Sequence, residues 1–338
     1  MTDNSLEPIF LTVTADTSAL ARLTQGDINM TGLRHAVEEL PFNAVYDFMR
    51  SAALQLSTSG RADEAIERIV EFDTAATRRG EESGKLLDIH AAMMQTITAL
   101  YIRASRIEEA LASAASTLNL LAQEPRRKDE PFLSVLASLL YDIAIIHNAR
   151  GQYRQAEREI EKSMKIFERL ARINPDRYGP AHLLAMNAST QVYRSRQKQA
   201  RMLTEYHEAT DTYLHQLGEG IEDAGMRLVE SLAEEGRTLV KMCRQREAVQ
   251  YFTRALRYLT KIDPGFTPLH LQLSIDLGEA LLAVKGSREK GIHLLNTMLY
   301  KASKIADDEQ HRRIVDILYN AKNNSLDIFG FWHKIFPR

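Results

Sequence analysis

The sequence predicts an all-α protein, a solenoid of about six two-helix hairpins closed by capping helices. Three observations lead there. A short turn marker returns six times at an almost constant step along the 338 residues. Between markers, apolar residues recur every three or four positions, the spacing of one face of a helix. Gly 16 and Pro 9 are too few for a turn-dense β-sandwich or barrel, while 44% hydrophobic residues suffice for an extensive core.

The marker is a small residue, then a basic or polar stretch, then Ala opening a second helix. It reads Gly60-Arg61-Ala62-Asp63-Glu64-Ala65, then Ser105-Arg106-Ile107-Glu108-Glu109-Ala110, and most clearly Gly151-Gln152-Tyr153-Arg154-Gln155-Ala156. A weaker fourth copy is Ser195-Arg196-Gln197-Lys198-Gln199-Ala200. The fifth is Cys243-Arg244-Gln245-Arg246-Glu247-Ala248, and the sixth, Gly286 to Gly291, places Gly where the others have Ala. Successive markers lie 45, 46, 44, 48 and 43 residues apart. The small marker residue is expected to let antiparallel helices approach closely, Cys243 included.

In the third unit the first helix is expected over roughly 131–150, with Leu133, Leu136, Ala137, Leu140, Ala144 and His147 in phase. The second is expected over roughly 152–173, with Ala156, Ile160, Met164, Phe167 and Leu170 on one stripe. Asn174-Pro175 and Asp263-Pro264 stop the second helices of units three and five, because Pro lacks an amide donor and restricts the residue before it. One hairpin cannot bury both faces, so neighbours must stack. Three regions are expected. Residues 1–40 form an N-terminal arm or cap, with a β-leaning run Ile9 to Val13 and a helix Thr31 to Leu40. Residues 41–306 form the solenoid. Residues 307–338 form a capping helix, Asp307 to Asn323, and an aromatic tail.

Over roughly 43–303 the chain resembles the tetratricopeptide-repeat (TPR) family in a long-period form. Gly236, Ala248 and Ala255, spaced 12 and 7, match the family's three small-residue positions. Ala144, Gly151, Tyr153, Ala156 and Ser163 fit the same pattern, although the family period is about 34. The resemblance implies a right-handed superhelix whose concave groove binds a protein or peptide. It places Arg237 and Lys241 in that groove, with Arg244 on the same helix face, Tyr193 and Arg194 near the equivalent place in unit four, and Tyr141, Ile145 and Asn148 on the same side in unit three. A groove basic at one end suits an extended peptide with acidic groups or a free carboxylate. The expected function is a non-enzymatic binding scaffold. The alternative is a peptide-responsive regulator whose superhelix changes shape on binding. In the tail, Phe329, Phe331, Trp332 and Phe336 either fold back on the last helices or form a docking segment.

No chemistry-bearing motif stands out: the chain has no phosphate loop, nucleophile elbow or HExxH. His207, Asp211 and His215 share one helix face, a spacing that also suits a solvated surface, so neither metal nor cofactor is expected. Lys+Arg 43 against Asp+Glu 45 leaves a formal charge of -2, and Glu230, Glu234 and Glu235 accompany the basic groove residues, so nucleic acid is a poor fit. One cysteine, an acidic N-terminus and an apolar run Phe132 to Ile146 broken by Ser134, Ser138 and Asp142 lead to the expectation of a cytoplasmic protein with no transmembrane segment.

Overall fold

A computed structural model describes residues 6, 8, 53, 56–70, 86–123, 128–304 and 308–323. Among these residues there is no strand. Residues 62–70 are helical. There follow α1 (Leu86–Arg103), α2 (Ile107–Leu121), α3 (Glu130–Ala149), α4 (Tyr153–Ile173), α5 (Pro175–Gly218), α6 (Ala224–Lys241), α7 (Gln245–Ile262), α8 (Pro268–Leu282), α9 (Arg288–Lys304) and α10 (Asp308–Asn323). Helices consecutive in the chain pair as α1 with α2, α3 with α4, α6 with α7, and α8 with α9. The chain divides into two compact units, one ending at Tyr193 and one running from Arg194 to the end of α10, so the boundary falls within α5.

The hairpin tip explains the marker. Gly60, Ser105, Gly151, Cys243 and Gly286 all have left-handed backbone, with φ of 77°, 58°, 70°, 58° and 84°. At four of them the next amide reaches five residues back: Arg61 to Leu56, Arg106 to Tyr101, Gln152 to His147 and Arg244 to Leu239, at 2.8–2.9 Å. This closure satisfies carbonyls that the last helical turn would otherwise leave without donors. The marker is small because of this backbone, not because helices cross there. Cys243 fits this reading: its thiol lies at a partly exposed turn, near the Lys241 carbonyl.

The close crossings lie elsewhere. Ala156, Ala248 and Ala255 are fully buried. A methyl placed on Gly236 would stand 2.6 Å from the Phe252 ring, and one on Gly291 would stand 2.9 Å from the Gly278 carbonyl oxygen. Gly replaces Ala in the sixth marker because the α8 backbone itself comes that near.

In the first unit α3 is the central element. Every side chain from Phe132 to Ile146 is buried, against α1, α2 and α4. By length and composition this helix, 20 residues long, could cross a membrane, contrary to the reading of its shorter apolar run, but 83% of its apolar window is buried inside the unit. Two polar contacts tie it to its neighbours: Gln95 Nε2 donates to Asp142 Oδ2 at 2.6 Å, and Ser163 Oγ donates to the Ala137 carbonyl at 2.7 Å. Tyr178, at the start of α5, donates to Glu130 at 2.9 Å, and burial pushes its phenol up to about 12.

The fourth marker does not fold back. Residues 175–218 form one helix of 44 residues, and Ser195 lies inside it. Tyr178, Ala181, Ala185, Ala188, Val192, Gln199 and Thr210 are buried, and Leu203, Tyr206, Tyr213 and Leu217 are partly buried. These positions continue one buried stripe at steps of three and four through the marker, as a single straight helix requires. The run Arg194 to Met202 also consists mostly of good helix formers with no Gly. The chain folds back only at Gly220 (φ 75°), where the Ile221 amide reaches the Gln216 carbonyl at 3.1 Å. The expected capping helix is present as α10, packed on α8 and α9. The arm expected over 1–40 lies almost wholly outside the described residues, and the tail with Phe329, Phe331, Trp332 and Phe336 lies wholly outside them.

Two stability measurements follow from these backbone constraints. Cys243→Gly relieves a left-handed non-glycine residue and is expected to stabilise the protein by about 0.5–1 kcal/mol, seen as a higher Tm. Gly291→Ala raises helix propensity, yet is expected to destabilise by about 1–3 kcal/mol because fixed backbone blocks the methyl. A Tm at or above wild type for Gly291→Ala contradicts the close approach of α8 and α9.

Candidate functional site

In the second unit the first helices of successive hairpins adjoin one another: α6 contacts α8, and α8 contacts α10. Their shared face carries polar groups from three elements. Asp276 of α8, only 7% exposed, is the node. Arg237 Nε of α6 donates to its Oδ2 at 3.0 Å, while Arg313 Nη2 of α10 and Gln272 Nε2 donate to its Oδ1 at 2.9 and 3.1 Å. Arg237 also donates to Glu234 at 2.5 Å, and Arg313 lies 3.3 Å from Glu279. A carboxylate buried without donors would be costly, and two guanidinia plus an amide supply them. For Arg237 burial works against the charged form, but Asp276 and Glu234 outweigh it and hold the guanidinium above its ordinary pKa.

This pairing corrects the expected basic stripe. Arg237 is engaged by two carboxylates, and Arg244 forms a two-pronged pair with Glu247 at 2.6–2.7 Å. Lys241 is exposed on the same helix. The face therefore alternates in sign rather than presenting a positive surplus. Asp276 and Arg313 escaped sequence reading because each lies more than thirty residues from its partner. Only the side-by-side placement of α6, α8 and α10 brings them together.

In the first unit, Tyr141 and Ile145 are not surface groups. They are 3% and 4% exposed and belong to the core around α3, because that helix is enclosed on all sides rather than on one stripe. Asn148, in its last turn, is half-buried. Tyr193 and Arg194 lie exposed in the middle of α5, not on the first helix of a fourth hairpin.

The histidine face on α5 has a different use. His207 Nδ1 lies 3.2 Å from Glu235 Oε2, and Thr210 donates to Glu235 Oε1. Glu235 is 1% exposed, and Thr210 also meets Ser231 at 2.9 Å. Burial first, then the charge and hydrogen bond of Glu235, raise the Tyr251 phenol pKa. These contacts join the later half of α5 to α6 within the second unit. His215 instead lies 3.5 Å from Glu219. Among the described residues no cluster of three or more His, Cys, Asp or Glu side chains is placed to hold a metal ion.

No family profile matches the sequence, and no curated protein does. Solved structures give partial likenesses. A putative kinesin light chain of Podosopora anserina with nearly identical TPR-like repeats is 16% identical, covering 85% of this chain and 100% of that one, at a TM-score of 0.30. BtubC (BKLC) of P. vanneervenii is 18% identical over 72% of this chain and 92% of that one, at 0.30. The Rap conjugation gene regulator of plasmid pLS20, solved with the Phr* peptide, is 15% identical over 85% and 83%, at 0.31. Superpositions this partial carry no argument about family or function.

The ionic node makes opposite demands on two neighbouring cations. Arg237→Glu sets a third carboxylate beside Glu234 and Asp276 and is expected to cost about 1–3 kcal/mol, a range kept modest because the side chain is a third exposed. Lys241→Glu is expected to stay within about 0.5 kcal/mol of wild type. Urea unfolding distinguishes them. Equal midpoints for both variants contradict the node.

Proposed function

We propose that the second unit is a non-enzymatic interaction module that binds a polypeptide partner along the face shared by α6, α8 and α10. The observation that carries this reading is the Asp276 node. It links side chains of the first helices of two successive hairpins and of the capping helix, and holds their register before any partner arrives. Prepositioned side chains lose little freedom on binding, which favours affinity. Glu230 and Lys241 are exposed on α6, and Glu279 is exposed on α8 beside Arg313. A segment carrying both signs of charge, with its cations toward Glu230 and Glu279 and its anions toward Lys241, suits this face better than a uniformly acidic one. The likeness to the peptide-bound Rap regulator is compatible with this reading and adds no weight to it.

A displayed library of random peptides panned against the whole chain tests this. Peptides bearing both charge signs are expected to be enriched, to bind in the micromolar range, and to weaken at least tenfold against Lys241→Ala/Glu279→Ala at unchanged Tm. Enriched peptides that bind the double variant as tightly as wild type, or no enrichment at all, contradict the assignment of this face.

A further inference from the structure

We propose that the outward face of α5 between Leu183 and Tyr193 is the contact between two copies of this chain, packed antiparallel. One side of this stretch is already used: Ala181, Ala185, Ala188 and Val192 are at most 3% exposed in the first unit's core. The other side remains apolar and open, with Leu183 61%, Leu184 49%, Met186 45% and Tyr193 49% exposed. α5 runs on here as one helix instead of turning back, and these side chains keep that exposure.

Three features point to a second copy as the occupant. From Tyr178 to Tyr193 there is no Lys, Arg, Asp or Glu, so pairing the stretch with itself buries no charge and sets none against its like. Depletion of charge is the mark of an interface centre. Leu183, Met186, Thr190 and Tyr193 are spaced three, four and three, the seam of a helix pair. That spacing reads the same in both directions. With the two-fold axis beside Ala188, Leu183 meets Tyr193 of the partner copy, and Met186 meets its Thr190. Thr190 can be buried there without loss, because its hydroxyl already donates to the Met186 carbonyl of its own helix at 3.3 Å. Two such stretches bury on the order of 1,000 Å² in total, the lower edge of what a specific interface needs. A reversible dimer in the micromolar range is expected.

Sedimentation velocity of the full chain, over roughly 1–100 µM, reads the equilibrium directly. A concentration-dependent shift from monomer to dimer is expected, and the variant Leu183→Lys/Met186→Lys should weaken it at least tenfold with an unchanged melting curve. Cross-linking gives a second reading that does not rely on charged substitutions. In a Cys243→Ser background, Met186→Cys mixed with Thr190→Cys should form a disulfide-linked dimer faster than Leu183→Cys alone. A chain monomeric at every concentration overturns the proposal. So does a dimer that persists unchanged in the folded double-lysine variant, or faster linkage through Leu183→Cys alone.

Discussion

The architecture depends on one backbone conformation, the left-handed residue at each hairpin tip. A helix reverses only if its last carbonyls find donors, and the amide following a left-handed residue supplies one by reaching five residues back. The same bond is made after Leu56, Tyr101, His147, Gln216 and Leu239. At these tips it sets which two helices lie side by side as a hairpin. At Ser105 and Cys243 the chain accepts a non-glycine residue in this conformation, so the turn is held by the packing of its two helices as much as by its own preference.

Within that frame the two units solve the burial of polar groups differently. The first unit encloses α3 and makes its buried polar contacts pairwise, as between Gln95 and Asp142 or Ser163 and the Ala137 carbonyl. The second unit uses shared nodes. Glu235 gathers Thr210 and His207, and Asp276 gathers Arg237, Arg313 and Gln272. Such nodes add little net stability compared with an apolar replacement, but they disfavour any packing in which a member lacks its partner. They therefore specify register between the helices they join. In the Asp276 node the two arginines remain about a third exposed while the carboxylate is buried.

Much of this was legible in the sequence, and what was missed has physical causes. Five of the six markers coincide with real turns, and the helices of unit three begin and end within a residue of their expected bounds. The fourth marker misled because it satisfies local spelling while the apolar stripe through Val192, Gln199 and Leu203 keeps its phase. Tyr141 and Ile145 misled because a helix enclosed on every side has no face reserved for a groove. Arg237 misled because its neutralising partner, Asp276, lies 39 residues away and becomes a neighbour only through stacking.

The central claim is that left-handed closure forms the tip of each two-helix hairpin and that α5 runs through Ser195 as one straight helix. Amide hydrogen exchange, resolved by residue, tests it most directly. If α5 is continuous, the amides of Ser195 to Gln199 exchange as slowly as those of Thr190 to Tyr193, and markedly more slowly than those at the Ser105 and Cys243 tips. Exchange at Ser195 to Gln197 as fast as at those two tips would show that the chain reverses at the fourth marker and would contradict the account.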